Sequence, residues 1–241
     1  MKNKYRFMKG PLKSRRLGVS LGIDLMPYNI CSENCVYCEC GPTKLLTARR
    51  DEYVSAEEVK EEISKKLKEE LKCDYITFSG RGEPTLHSEI GEIIDFIKEN
   101  HSKYRVSVLT NSTLLHRKDV RDGLKNADLV VPSLDAGTEK AFRKVCRPAE
   151  AVSFEDTVMG IKKFSREYTG EIFLEIMLLP GFNDSSPELN EIIKIVEEVE
   201  PDRVDLNTLD RAPALTGVNG MSRSKMKRIA EDFPGKVKIF S

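Results

Sequence analysis

Three cysteines lie close together in the stretch Cys31-Ser32-Glu33-Asn34-Cys35-Val36-Tyr37-Cys38, at spacings of four and three residues. Thiolates hold iron–sulfur clusters, and a closed four-iron cubane takes four of them. Three thiolates on one short loop bind three irons and leave the fourth without a protein ligand. An open coordination position is the mark of a metal centre that meets a substrate. Two other readings compete. A zinc site usually pairs its Cys arm with a second Cys or His arm, and here His87, His101 and His116 are scattered along the chain. Buried thiols can also serve as small hydrophobes. Cys40 is a third complication, because it follows Cys38 by two residues and could supply a fourth thiolate, closing the cluster.

Cys-x₃-Cys-x-Tyr-Cys is similar to the signature of the radical S-adenosylmethionine (SAM) enzymes. The lead-in Gly10-Pro11-Leu12-Lys13-Ser14-Arg15-Arg16-Leu17-Gly18 and Ser20-Leu21-Gly22-Ile23-Asp24 narrows the resemblance, as does Gly80-Arg81-Gly82-Glu83-Pro84-Thr85-Leu86. Together they resemble a compact group beside the tRNA wyosine-base synthetases. The resemblance implies a [4Fe–4S] cluster held by Cys31, Cys35 and Cys38, with SAM chelating the open iron. One-electron cleavage of SAM would then give a 5′-deoxyadenosyl radical that abstracts a hydrogen atom from substrate. It also implies SAM contacts. Tyr37 would flank the adenine, and Gly82 with Glu83 would hold the amino group. Thr110, Asn111, Ser133 and Asp135 would meet the ribose and carboxylate. Arg81 departs from the family's Gly-Gly-Glu pattern at this point. Arg147, Asn183, Asp184 and Arg211 are assigned to substrate, with an RNA base as the first candidate and tRNA modification as the setting. A low-potential donor such as ferredoxin or flavodoxin would supply the electron. The competing functions are an activase that makes a glycyl radical on a partner protein, and an electron-transfer protein whose cluster Cys40 closes.

Such groups need a scaffold that brings them to one place. Short β-branched runs alternate with amphipathic stretches along the chain. Strands are predicted at Leu17–Leu25, Tyr75–Phe78, Tyr104–Leu109, Asp128–Ser133, Glu171–Leu179 and Arg203–Asn207, with an edge strand at Val237–Phe240. Helices are predicted over 55–72, 88–99, 116–125, 153–168, 187–200 and 222–232; Ser55 with Glu58 forms a capping box for the first. Strands separated by helices make a parallel sheet of βα units. Six units fall short of the eight that close a full barrel, so the expected fold is α/β, a single-domain open partial (βα)6 barrel. In parallel folds functional groups gather at the carboxyl ends of the strands, which is where each motif falls. Residues 26–50 form the expected cluster-binding loop.

Charge is balanced at zero overall, but residues 1–16 carry seven Lys or Arg and no acid. They read as a basic N-terminal arm able to neutralise phosphates. No stretch approaches a membrane span, and closely spaced thiols fit a reducing, cytoplasmic setting.

The ligand set is testable on anaerobically reconstituted protein. Cys35→Ala is expected to lose its iron and sulfide, whereas Cys40→Ser keeps both; loss in the Cys40 variant would show that this thiol closes the cluster.

Overall fold

A computed structural model of the chain describes residues 5–210, 213 and 215–241. Its main sheet has eight strands: β1 (Met8–Ser14), β2 (Gly18–Ile23), β5 (Tyr75–Phe78), β6 (Arg105–Thr110), β7 (Leu129–Pro132), β8 (Glu171–Met177), β9 (Arg203–Asn207) and β10 (Val237–Phe240). They lie in that order across the sheet. All neighbours are parallel except β1, which returns antiparallel along β2. Two dipeptide strands, β3 (Ile30–Cys31) and β4 (Leu45–Leu46), pair within the cysteine loop. The helices are α1 (Ala56–Leu67), α2 (Ile90–Asn100), α3 (Lys118–Leu124), α4 (Glu139–Val145), α5 (Phe154–Glu167), α6 (Ser186–Val199) and α7 (Arg223–Ala230). The six central parallel strands are those predicted, and the chain forms the expected open α/β barrel.

Alternation along each strand divides the sheet into two faces. Ile76 and Phe78, Val106 and Val108, Ile172, Leu174 and Ile176, and Val204 and Leu206 join the helices' apolar stripes in one core. Burying each such side chain contributes about 1.5–3 kcal/mol. The alternate residues face the inside of the curl. Tyr75, Leu129 and Val131 form a small apolar cluster there, with Phe173 packed against it. The rest of the inner wall is polar. Ser20, Thr77 and Ser107 form a hydroxyl ladder at 2.6 and 2.8 Å. Arg203 donates to both oxygens of the fully buried Asp205 at 2.6 and 2.7 Å.

The N-terminal stretch corrects the sequence reading where it is described. Instead of an arm leading into the domain, residues 8–14 form an edge strand; residues 1–4 lie outside the described set. Ser14 Oγ accepts from the Arg16 and Leu17 amides, and Gly18 closes the turn at φ +72°, a conformation that suits glycine. From this turn Arg15 reaches Asp210 at 3.0 Å, and Arg16 pairs with Glu175 on β8. Contacts between a hairpin at one sheet edge and strands near the other edge show how far the sheet curls.

A second correction is α4, a helix absent from the sequence reading. Thr138 caps it, accepting from the Ala141 amide. It packs Phe142 and Val145 against Val36 of the cysteine loop.

Arg203→Ala would leave Asp205 buried without its countercharge, at an expected cost of about 3–5 kcal/mol in urea unfolding. Replacing both residues by leucine is expected to recover most of that loss.

Candidate cluster and cofactor site

The cysteine loop follows β2 and is braced from three sides. On the first, the Glu83 amide donates to Ile30 O at 3.0 Å. A Cβ on Gly82 would lie 1.9 Å from that same carbonyl oxygen, so only glycine lets the two backbones approach. On the second, Asn111 Nδ2 donates to Ser32 Oγ at 2.9 Å and lies 3.5 Å from Cys31 Sγ, while Thr113 and Ser32 share a 2.6 Å hydroxyl contact. On the third, Val36 N donates to Val145 O at 2.9 Å, Asn34 N to Cys146 O at 3.0 Å and Ala149 N to Ser32 O at 2.9 Å. The helix missed in the sequence is therefore one wall of the site.

All three loop thiols are free and partly buried, while Cys40 is exposed. Cys35 Sγ donates to Glu33 Oε2 at 3.2 Å. The sulfur of Cys146, distant in sequence, lies with that of Cys35 and a Glu33 oxygen, all within 4.8 Å of one another. Cys40 Sγ lies 3.4 Å from Gly80 O, and its hydrogen bond to Cys38 holds that thiol below its ordinary pKa.

The surroundings are acidic. Burial, then Cys35, Glu83 and Glu33, push the Cys31 thiol well up. Cys35 is raised by its hydrogen bond with Cys146 and by burial, and Glu33 by burial with Asp135 and Glu83 nearby. Burial lifts Asp135 to about 6. A donor set of crowded thiols among buried carboxylates fits a cationic metal centre, which binds thiols as thiolates and reverses the direction of these shifts.

Glu83 lies at the centre of the predicted cofactor residues and is 2% exposed. Its Oε1 accepts from Thr85 N, Thr85 Oγ1 and Thr110 Oγ1 at 3.0, 2.6 and 2.7 Å; its Oε2 accepts from Asn111 N at 2.7 Å. This carboxylate thus ties the ends of β5 and β6 together and keeps acceptor capacity on Oε2. Tyr37 OH donates to Asp135 Oδ2, whose other oxygen accepts from Met177 N at 2.8 Å. Asn111, Ser133 and Asp135 line one narrow crevice with Glu33 and Cys146. Arg81, the departure from the family pattern, donates to Asp24 Oδ2 at 2.8 Å and so holds its turn against the end of β2.

The residues assigned to substrate do not gather in the same way. Asn183 is a buried brace, 1% exposed: it accepts from Leu179 N and spends both N–H donors on Asp135 O and Met177 O. Asp184 accepts from Gly181 N and pairs with Lys225 of α7. Arg147 is exposed in the turn after α4, at φ +48°. Arg211 lies outside the described residues. Sequence reasoning missed Glu33 and Cys146 as neighbours of Cys35. Glu33 stands between two ligand positions, which was a usable signal; Cys146 is distant in sequence and gave none.

Residues 25–197 match the model of the Radical SAM superfamily. The chain is 38% identical over 230 residues to GTPase Obg of Brachyspira hyodysenteriae, covering 95% of the chain and 34% of that protein. It is 34% identical over 233 residues to a UPF0026 protein of Helicobacter pylori, covering 96% of the chain and 72% of the relative. The chain thus spans about a third of the first relative, and it has no Gly-x₄-Gly-Lys-Ser/Thr phosphate loop of its own. In fold it is similar to a radical SAM methyltransferase from Sphaerobacter thermophilus, with a TM-score of 0.70 at 15% identity over 91% of this chain and 66% of that one. No helix among the described residues is long and apolar enough to cross a membrane.

Glu83→Ala would strand the Thr110 hydroxyl and the Asn111 amide. It is expected to destabilise metal-free protein by about 3 kcal/mol in urea titration; an unchanged midpoint would show that the carboxylate is not a brace.

Proposed function

The chain belongs to the radical SAM superfamily, a family that uses a [4Fe–4S] cluster and SAM, and from that premise we propose that it is an enzyme generating a radical for hydrogen abstraction. When bound, these groups supply one-electron cleavage of SAM to methionine and a 5′-deoxyadenosyl radical. The observation that carries the reading is the convergence of the braced cysteine loop with Glu83, Asn111 and Asp135. The last three come from the ends of successive strands: the Asn111 amide binds Glu83, its side chain lies 3.5 Å from Cys31 Sγ, and Asn111 and Asp135 line one crevice with Glu33 of the loop.

In this reading Cys31, Cys35 and Cys38 ligate three irons. Glu83 Oε2, already fixed by the Asn111 amide, accepts from the SAM ammonium group. Gly82 lets the backbone of that turn lie against the loop. Tyr37 is held by its bond to Asp135, which sets the ring beside the cofactor; Asn111 orients both Cys31 and Ser32. Thr110 and Ser133 supply polar groups at neighbouring strand ends. The curl of the sheet shields the site from water on the strand side. A low-potential protein donor delivers the electron. The substrate is an RNA base in the first instance, a reading supported by the motif resemblance and by the cationic hairpin residues Lys9, Lys13, Arg15 and Arg16.

The test is anaerobic reconstitution with iron and sulfide, followed by dithionite and SAM. Release of 5′-deoxyadenosine and methionine is expected. No cleavage, together with an EPR spectrum indifferent to SAM, would sink the proposal.

A further inference from the structure

Two cavities meet at Arg16, inside the curl and beside the cysteine loop. One, of about 240 Å³, lies between the N-terminal hairpin and the inner wall, and is lined by Lys9, Lys13 and Arg16 facing Ser20, Thr77 and Ser79. The other, of about 210 Å³, is lined by Arg16, Tyr37, Cys38, Glu175, Met177 and Asn207. The second therefore adjoins a predicted cluster ligand, and the first reaches toward Cys40 through Lys9.

The charges in these cavities do not cancel. Asp24 is neutralised by Arg81, Glu175 by Arg16 and Asp205 by Arg203. Lys9 and Lys13 form no ion pair among the described residues, so two ammonium groups line the first cavity without a carboxylate partner; the second has Glu39 in its wall as well as Glu175. Arg16 spends part of its guanidinium on Glu175, but it carries five N–H donors. Opposite it, Asn207 is 5% exposed and its Nδ2 has no hydrogen-bond partner among the described residues. A buried amide donor without an acceptor is costly, and this one lines the cavity. Hydroxyls at Ser20 and Thr77 complete a wall rich in donors.

We propose that this paired cavity is the substrate site and that it takes a substrate bearing a phosphate or carboxylate group, held by Lys9, Lys13 and Arg16 with Asn207 donating from the far wall. The inference rests on the reading of the cysteine loop as the reaction centre. It adds the chemical class of the substrate and moves recognition away from Arg147, Asn183 and Asp184. An oxyanion is what unpaired ammonium groups, a guanidinium fork and a spare amide N–H recognise together. The hairpin that closes the sheet edge is also the element that reads the substrate.

The experiment is calorimetric titration of anaerobically reconstituted protein with inorganic pyrophosphate, AMP and malonate at low salt. Binding of pyrophosphate and AMP alone assigns a phosphate ester, and binding of malonate alone a carboxylate; either supports the site. Lys9→Ala/Lys13→Ala, at exposed positions where folding is not at risk, is expected to weaken the bound probe about tenfold. Lys118→Ala/Lys125→Ala, which removes the same charge from α3 and its C-cap, is expected to leave it within about twofold. The proposal is overturned if no probe binds the wild type, if the Lys9/Lys13 variant binds as tightly, or if the α3 control weakens equally. SAM cleavage by the wild type, measured alongside, judges the radical reading separately. Cleavage without anion binding removes this inference alone; anion binding without cleavage overturns the radical reading and leaves an anion site with no reaction centre beside it.

Discussion

A loop cannot hold three thiols in register by its own backbone, and the structure answers this with hydrogen bonds from outside it. Ile30 is fixed to the turn after β5, Ser32 to the residues after β6, and Val36 to the end of α4. The loop is only as rigid as these neighbours, which are themselves tied together. Glu83 joins the ends of β5 and β6, and Asn183 joins Asp135 after β7 to Met177 at the end of β8. Each brace is a buried polar group that is satisfied, which is the condition under which such groups add rigidity. Precision at the cysteines thus depends on a chain of contacts running around the carboxyl ends of the strands.

The same logic extends inward. A barrel interior filled with apolar side chains would leave no room for a polar ligand. Here the inner wall pairs its charges, as in Arg203 with Asp205, and chains its hydroxyls, as in Ser20, Thr77 and Ser107. The wall's own charges are therefore paired with one another, and the few donors left over stand out. Asn207 is one of them.

Much of this was legible in the sequence, for identifiable reasons. Tyr75–Phe78, Arg203–Asn207 and Val237–Phe240 have the predicted bounds because runs of four or five residues between turn and helix signals are too short for a helix and long enough for a strand. The Ser55 cap was legible from its own chemistry, and its hydroxyl accepts from Glu58 N as expected. The N-terminal strand was masked by charge and by a break in register between Lys9 and Leu12, which spoils the alternation that marks a strand. Helix α4 is seven residues long, too short to show two turns of periodicity. The cysteines could be recognised by spacing alone, whereas Cys146, Arg16 and Asn207 acquire their neighbours only through the fold. Asn183, assigned to substrate, is held by backbone groups on both sides, and those contacts are set by the fold.

One consequence follows from how the sheet is closed. Along most of its circumference the strands are joined by backbone ladders, but where the hairpin meets the far side the joint is made by side chains. Two ion pairs make it: Arg15 with Asp210, each about half exposed (49% and 48%) and worth about 0–1 kcal/mol, and Arg16 with Glu175, which is more buried. Unzipping a ladder breaks many bonds at once; parting this latch breaks few. The molecule therefore has a built-in direction of easiest breathing, and rising ionic strength, which weakens the latch and leaves the ladders alone, widens it.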